Sequence, residues 1–302
     1  MKKMRNKKKL FLEIYRNKHI YLFILVPMAL FLTFVLYPIC RSFFMSFYDW
    51  KIIGSSTFVG FKNYINAFND PILNISWRNT IIYCLATVPG QMIFAMTAAI
   101  LLNQKIKGRI FFRTLYFLPV VTSWVVVSFI FMYLFNSQAG LINYILKDIL
   151  HITKQYYAWL SNGKSALFII ALLGIWKGIG WSMVIFLAGL QGIPEELYEA
   201  ARIDGASQAR LFWKITIPLM RSTLVYVLVM LIIGSFQVFI SVYIMTDGGP
   251  MHQTEVVLTW LYTNAFSYLR FGYGSAIAVL MTVFIFIISI MQIKLLSKPV
   301  EY

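Results

Sequence analysis

The chain has 302 residues, 60% of them hydrophobic and only 13% charged, where a soluble domain carries roughly 25% charged residues. Its 27 Lys and Arg against 11 Asp and Glu leave a net charge of +16. This composition excludes an ordinary soluble enzyme. Because the bases sit beside long apolar runs, membrane orientation explains them better than nucleic-acid binding does.

In chain order, the basic start "MKKMRNKKKL" precedes an apolar run over about residues 21–41. That run is too long for a signal-peptide core and no small-residue cleavage site follows it, which predicts an uncleaved first membrane helix. Six segments reach the roughly 20 apolar residues that a span needs: 20–42, 79–102, 112–135, 166–190, 219–245 and 272–296. The expected fold is an all-α integral membrane protein with six transmembrane helices in one polytopic domain, 20–296. A basic tail, 1–19, precedes it and a short C-terminus, 297–302, follows. Cys40 and Cys84 both lie in apolar runs and imply no disulfide framework.

The bases alternate from flank to flank. They gather in the tail, in the 103–111 loop (Lys105, Lys107, Arg109), in 191–218 (Arg202, Arg210, Lys214) and near the end (Lys294, Lys298). The positive-inside rule therefore puts both termini and the 191–218 loop in the cytoplasm. The intervening loops carry turn signals and aromatics, as in "YDWKIIGSSTFVGFKNY", "FNSQAGLINY" and "MTDGGPMHQ".

The 191–218 loop contains "YEAARIDGASQARLFWKITIPLM", polar in an apolar chain. Pro194 suits a first helical position, and Glu195 and Glu196 suit the positive end of a helix. The helix is expected to reach Ile203, with Leu197, Ala200, Ala201 and Asp204 on one thin face. Gly205 then supplies a positive φ, and Ser207 caps a second short helix.

"EAARIDGA", followed a dozen residues later by "IPL", resembles the EAA loop of binding-protein-dependent ABC transporter permeases. "FVGFKNYINAFNDP", "RTLYFLPVVTSWVVVSFIFMYLFNSQAGLINYIL", "IWKGIGWSMVIFLAGLQGIPEELYEAARIDGA" and "MTDGGPMHQTEVV" extend the likeness along nearly the whole chain, toward the carbohydrate-uptake branch and its MalF-like subunits. The companion subunit type ends in a Gly-Ala-Val-Lys-Gly run, and this chain ends "LLSKPVEY". The resemblance implies an ABC importer type I transmembrane domain in the plasma membrane of a prokaryote. It implies a cytoplasmic helix-turn-helix whose Glu199, Ala200, Ala201, Asp204 and Gly205 couple it to an ATPase. It also implies four kinds of partner: a second, related permease, two ATP-binding subunits, an extracellular solute-binding protein and membrane lipid. No cofactor is expected in this chain; ATP and Mg belong to the partner.

Inside the spans, Lys177 stands about 16–20 Å from either end of its helix at 1.5 Å per residue. An ionisable residue so deep is a functional candidate by default. Lining a substrate route and capping carbonyls at a helix break are equally open readings, the latter because Gly174, Gly178 and Gly180 surround it. Trp176 and Trp181 offer faces on which sugar rings stack, yet tryptophan also packs in cores. Gln237 and Ser241, one turn apart, can bond hydroxyls or a neighbouring helix.

The expected function is ATP-driven import of a sugar or oligosaccharide delivered by the binding protein, through alternating access. A permease for another solute, such as glycerol phosphate, remains open, and a polytopic membrane enzyme is a third reading. "AWLSNGKS" at 158–165 mimics a phosphate loop but has Ala158 where the first glycine belongs. His19, His151 and His252 are isolated and no nucleophile–base pair is visible, so the chain is read as a transport subunit, not an enzyme.

Overall fold

The computed structural model describes residues 18–51, 54–104 and 106–296. The bases of the tail before residue 18, Lys105 and the C-terminal stretch 297–302 lie outside the described residues. Helix α1 (Lys18–Phe31) passes through a π turn into α2 (Tyr37–Met45). A two-residue antiparallel ladder joins β1 (Tyr48–Asp49) to β2 (Thr57–Phe58). There follow α3 (Lys62–Asn69), α4 (Pro71–Asn103), α5 (Arg109–Val121), α6 (Trp124–Leu134), α7 (Leu141–Tyr144) and α8 (Gly163–Gln191). The loop helices are α9 (Glu195–Ile203), α10 (Gln208–Leu211) and α11 (Ile217–Leu219). The chain closes with α12 (Arg221–Phe236), α13 (Ile240–Met245), α14 (Val257–Tyr262) and α15 (Phe271–Leu296).

The long helices α4 and α8 form the central pair. Ala95, Ala98 and Ala99 of α4 are small enough for Met183, Phe186, Leu187 and Leu190 of α8 to close on them, with Val227, Ile277 and Met281 completing this core. A second core, at the other end, joins Tyr83, Val127, Ile169, Ile170, Leu173 and Val242. In contrast, no residue from Phe23 to Met45 is buried, so the first span presents its apolar surface outward along its whole length.

Three expectations change. The helix that carries the second expected span starts at Pro71, ahead of the apolar run, and polar Ser76 and Asn79 are buried in protein. Asn79 Nδ2 donates to the carbonyls of Gln253 and Glu255, each at 2.9 Å, which clips the 246–256 loop to the bundle. Over the expected span 112–135 lie two helices of 13 and 11 residues, bent by 97°. At about 20 and 17 Å, neither crosses a hydrocarbon core of about 30 Å unaided. Finally, the segment 219–245 breaks between Phe236 and Ile240, where Phe239 takes φ −142°, ψ −64°.

Asp70 knots the end of the bundle remote from the 191–218 loop. Its Oδ1 accepts from the N–H groups of Ile72 (2.9 Å) and Leu73 (3.2 Å), capping α4 behind Pro71. Its Oδ2 accepts from Trp260 Nε1 (2.8 Å) and Tyr273 Oη (2.7 Å), so one carboxylate ties the starts of α4, α14 and α15. Burial pushes its pKa up, but the hydrogen bonds from Tyr273, Trp260, Leu73 and Ile72 outweigh burial and hold it below the usual value of 3.8. The folded state thus favours the ionised form. The stabilisation is complete above the ordinary carboxylate range and is lost as the pH falls through the lowered value. Asp70→Ala, which removes a charged acceptor from partly buried donors, is expected to cost about 1.5–3 kcal/mol. Thermal unfolding of the purified transporter should show this as a lowered midpoint at pH 7, with the gap from wild type narrowing below pH 3.8.

Candidate functional site

The 191–218 loop is built from its caps. Pro194 is the N-cap of α9, not its first turn, and Glu195 and Glu196 occupy that first turn. At the other end Asp204 is the C-cap and Gly205 takes φ +77°. Gly205 N–H donates to Arg202 O (3.0 Å) and Ala206 N–H to Ala201 O (2.9 Å), the paired bonds of a Schellman turn. A Cβ at Gly205 would meet nothing within 4 Å, so the need for glycine is conformational, not steric. Ser207 Oγ accepts from Arg210 N–H and starts α10. Tyr198 Oη shares a hydrogen bond of 3.0 Å with Thr216 Oγ1, pinning α9 to the returning chain. A groove of about 860 Å³ runs behind α9 against the ends of α4 and α8, lined by Asn103, Gln191, Tyr198, Arg202 and Phe212.

Of the five residues the sequence singled out, Glu199, Ala200, Asp204 and Gly205 are exposed. Of the expected stripe, Leu197, Ala200 and Asp204 are exposed and Ala201 is half-buried beside Tyr198. Glu196, Glu199 and Ile203 are exposed as well. Ile203, 86% exposed, and Trp213, 65% exposed, are apolar side chains standing in solvent on a polar loop. Sequence reading passed over both, although Ile203 lies four residues after Glu199 and hence on the same face. Among the described residues the single charge pair is His252–Glu255, at the opposite end, so Glu199 pairs with no base there.

The five intramembrane candidates do not converge. Lys177 is 5% exposed, and its Nζ donates to the carbonyls of Pro119 (2.7 Å), Thr122 (2.7 Å) and Val120 (3.3 Å). Trp124 lies with its ring 5.0 Å from the ammonium. The lysine therefore caps a helix break, but the break belongs to the neighbouring α5–α6 and not to its own helix, which runs unbroken from Gly163 to Gln191. The glycine at 180 serves the same junction, since a Cβ there would collide with the carbonyl of Tyr116. Trp176 is exposed and stacks beside Phe131, whereas Trp181 is partly buried against the main core. Gln237 is exposed at the break of the fifth segment while Ser241 is buried beyond it, so the two do not share a helical face.

The phosphate-loop mimic opens α8 without a preceding strand; Asn162 caps Lys164 N–H, and Gln253 Oε1 occupies the N–H of Gly163. Among the described residues, no three His, Cys, Asp or Glu side chains gather as metal ligands would.

A family model described as the binding-protein-dependent transport system inner membrane component matches residues 91–298. This chain belongs to that family. It is a multi-pass permease component of an ABC transporter, with the type I importer transmembrane fold, and not an enzyme. A probable ABC transporter permease protein of Bacillus subtilis, YurN, is 36% identical over 289 residues, covering 95% of this chain and 99% of the relative. The arabinooligosaccharides transport system permease protein AraP of the same organism is 36% identical over 279 residues, covering 91% and 87%. The crystal structure of a bacterial ABC transporter involved in the import of the acidic polysaccharide alginate superposes with a TM-score of 0.84 at 22% identity, over 95% of this chain and 98% of that one.

The permease's third segment gives a direct test. Lys177→Met takes the ammonium from the carbonyls of Val120 and Thr122 and leaves Pro119 O only its bonds from Thr122; an unsatisfied buried group costs about 1–3 kcal/mol. The expected outcome is a transporter that assembles in lower yield and dissociates at lower temperature, with uptake per assembled complex near the wild-type rate. Thermal stability and uptake of the same purified complex in liposomes check it together.

Proposed function

We propose that this permease is one of two related membrane subunits of an ATP-driven importer of sugars or oligosaccharides. A solute-binding protein delivers the solute outside the cell, and two ATP-binding subunits dock at the 191–218 loop. The observation that carries this reading is the loop itself. It is a turn of two helices that offers a Glu199 with no ion pair among the described residues and a solvent-facing Ile203, while Tyr198–Thr216 and the returning chain hold it to the bundle. Closure of the ATPases would push on α9, and the push would pass through that anchorage to α8 and α12 and switch the cavity between its two openings.

A neutral or oligomeric sugar is favoured over a glycerol phosphate by Lys177. A phosphate calls for a free cation in the membrane interior, and this ammonium is spent on three carbonyls. The arabinooligosaccharides for which AraP is named support the same class. Trp176, with an open face, and Gln237 are then the better candidates for the route, and Trp181 and Ser241 belong to the packing.

If Glu199 meets a base on the ATPase, Glu199→Lys replaces attraction with repulsion, whereas Glu199→Gln removes only the charge. ATPase activity stimulated by solute-loaded binding protein, measured in liposomes, should fall at least about tenfold for the lysine variant, the equivalent of 1.4 kcal/mol. The glutamine variant should lose about threefold or less. Equal activities of the two would mean that Glu199 is merely solvated.

The orientation proposed places both termini and Gly205 in the cytoplasm and residues 136–164 and 246–271 outside. Single cysteines at Ser161→Cys and Ser207→Cys, in a background without Cys40 and Cys84, report it. An impermeant thiol reagent on intact cells should label position 161 and spare position 207, and the reverse pattern would invert the topology.

A further inference from the structure

The segment between the first two long helices carries an exposed apolar surface that neither core explains. On α3, at about 100° per residue, Phe61, Ile65 and Phe68 fall within an arc of about 60°. They are 69%, 59% and 70% exposed, and Phe58 of β2, at 69%, stands beside this arc. Lys62, Asn66 and Asn69 make the next stripe round the helix and are also exposed. The third side, Asn63 and Ala67, is buried, with Asn63 Nδ2 donating to the carbonyls of Ser46 (2.8 Å) and Tyr48 (2.9 Å). The helix thus shows three faces in order: apolar and open, polar and open, and sealed against the protein.

The open apolar face continues the surface of the first span without interruption. Phe43 and Phe44 project from α2, within the apolar stretch Phe23–Met45. Phe43 meets Phe47 with ring centroids 5.3 Å apart, and Phe47 meets Phe61 at 5.4 Å. In a parallel row, Phe44 meets Tyr48 at 4.6 Å and Tyr48 meets Phe58 at 5.2 Å. Two lines of touching rings therefore run from the exposed apolar helix α2 onto the hairpin and α3.

We propose that Phe58, Phe61, Ile65 and Phe68 are an interfacial anchor, seated in the headgroup–acyl boundary of the membrane at the end remote from the 191–218 loop. Aromatic rings collect at that depth, and a helix lying in the plane needs its apolar stripe beside a polar one. Here Asn66 and Asn69 face water and the ammonium of Lys62 reaches lipid phosphates. A soluble partner would not require the surface to be continuous with the span, nor the polar stripe to flank it along the helix. The anchor would hold Asp70 and the start of α4 at a fixed depth. This inference rests on the chain's place in the membrane and not on the solute it moves, so its failure and that of the proposed function are separable.

Spin labels on single cysteines test it, introduced as Phe58→Cys, Phe61→Cys, Ile65→Cys and Phe68→Cys, with Asn66→Cys as the contrast. The assembled transporter, its other thiols replaced, is reconstituted in vesicles of phosphatidylethanolamine and phosphatidylglycerol. Collisions with oxygen should exceed those with a water-soluble nickel chelate several-fold at the four apolar positions, and the order should reverse at 66. Chelate collisions dominating at all five would overturn the proposal in favour of a water-exposed loop. Protection from both reagents at the four would overturn it in favour of a covering protein subunit. Should a cysteine variant fail to assemble, Phe61→Trp and Phe68→Trp keep an aromatic ring in place. Their added fluorescence should be quenched by lipids brominated near the headgroup, and the absence of that quenching would equally refute the anchor.

Discussion

The break between α5 and α6 depends on a single ammonium group. Backbone polar groups in a bilayer must find partners within the protein, because lipid offers none. The α5–α6 junction turns by 97° in the middle of an apolar segment and leaves carbonyls at Pro119, Val120 and Thr122 pointing out of the helical pattern. Lys177 answers all three, and its own burial is tolerated because each of its donors is engaged. Charge and broken backbone would each be costly alone and are stable only together. Pro119 lies in the last turn of α5, just before the break, and Gly180 lets α5 come near enough for the lysine to reach it.

The two ends of the molecule are organised differently. At the 191–218 end, geometry rests on short-range devices: a proline N-cap, a Schellman turn at Gly205, the Ser207 cap and a side-chain tie from Tyr198 to Thr216. These make a rigid knob whose outer face has few partners in its own chain, as a docking element requires. At the other end, side chains knit loops together. Asp70 joins three helix starts, and Asn79 holds the 246–256 loop. Asn143 takes four hydrogen bonds within the 136–159 segment.

Between these ends, α4 and α8 pack closely over alanines and run without a break, while α5–α6 and α12–α13 are each interrupted. The proposed alternating-access cycle would need one body that transmits displacement and others that can change angle. The continuous helices suit the first task and the interrupted ones the second.

Much was legible from sequence alone. Hydropathy places the long apolar runs, because their length against the bilayer is a one-dimensional property of the chain. Local chemistry writes the 191–218 turn, since proline, paired acids and a glycine act within a few residues of one another. The order of residues in "EAARIDGA" also carries the family. What tertiary structure alone decided is where a side chain's partner lies. Lys177 could be seen as anomalous in the sequence, but the carbonyls it binds are more than fifty residues away, in a segment expected to be a single span. Asn79 stood at the start of an expected span, and the loop carbonyls that it binds are 174 and 176 residues away. Gln237 and Ser241 looked like neighbours until an irregular Phe239 turned one away from the other. Periodicity assumes an unbroken helix, and a break, together with what compensates for it, is a property of the packed neighbours.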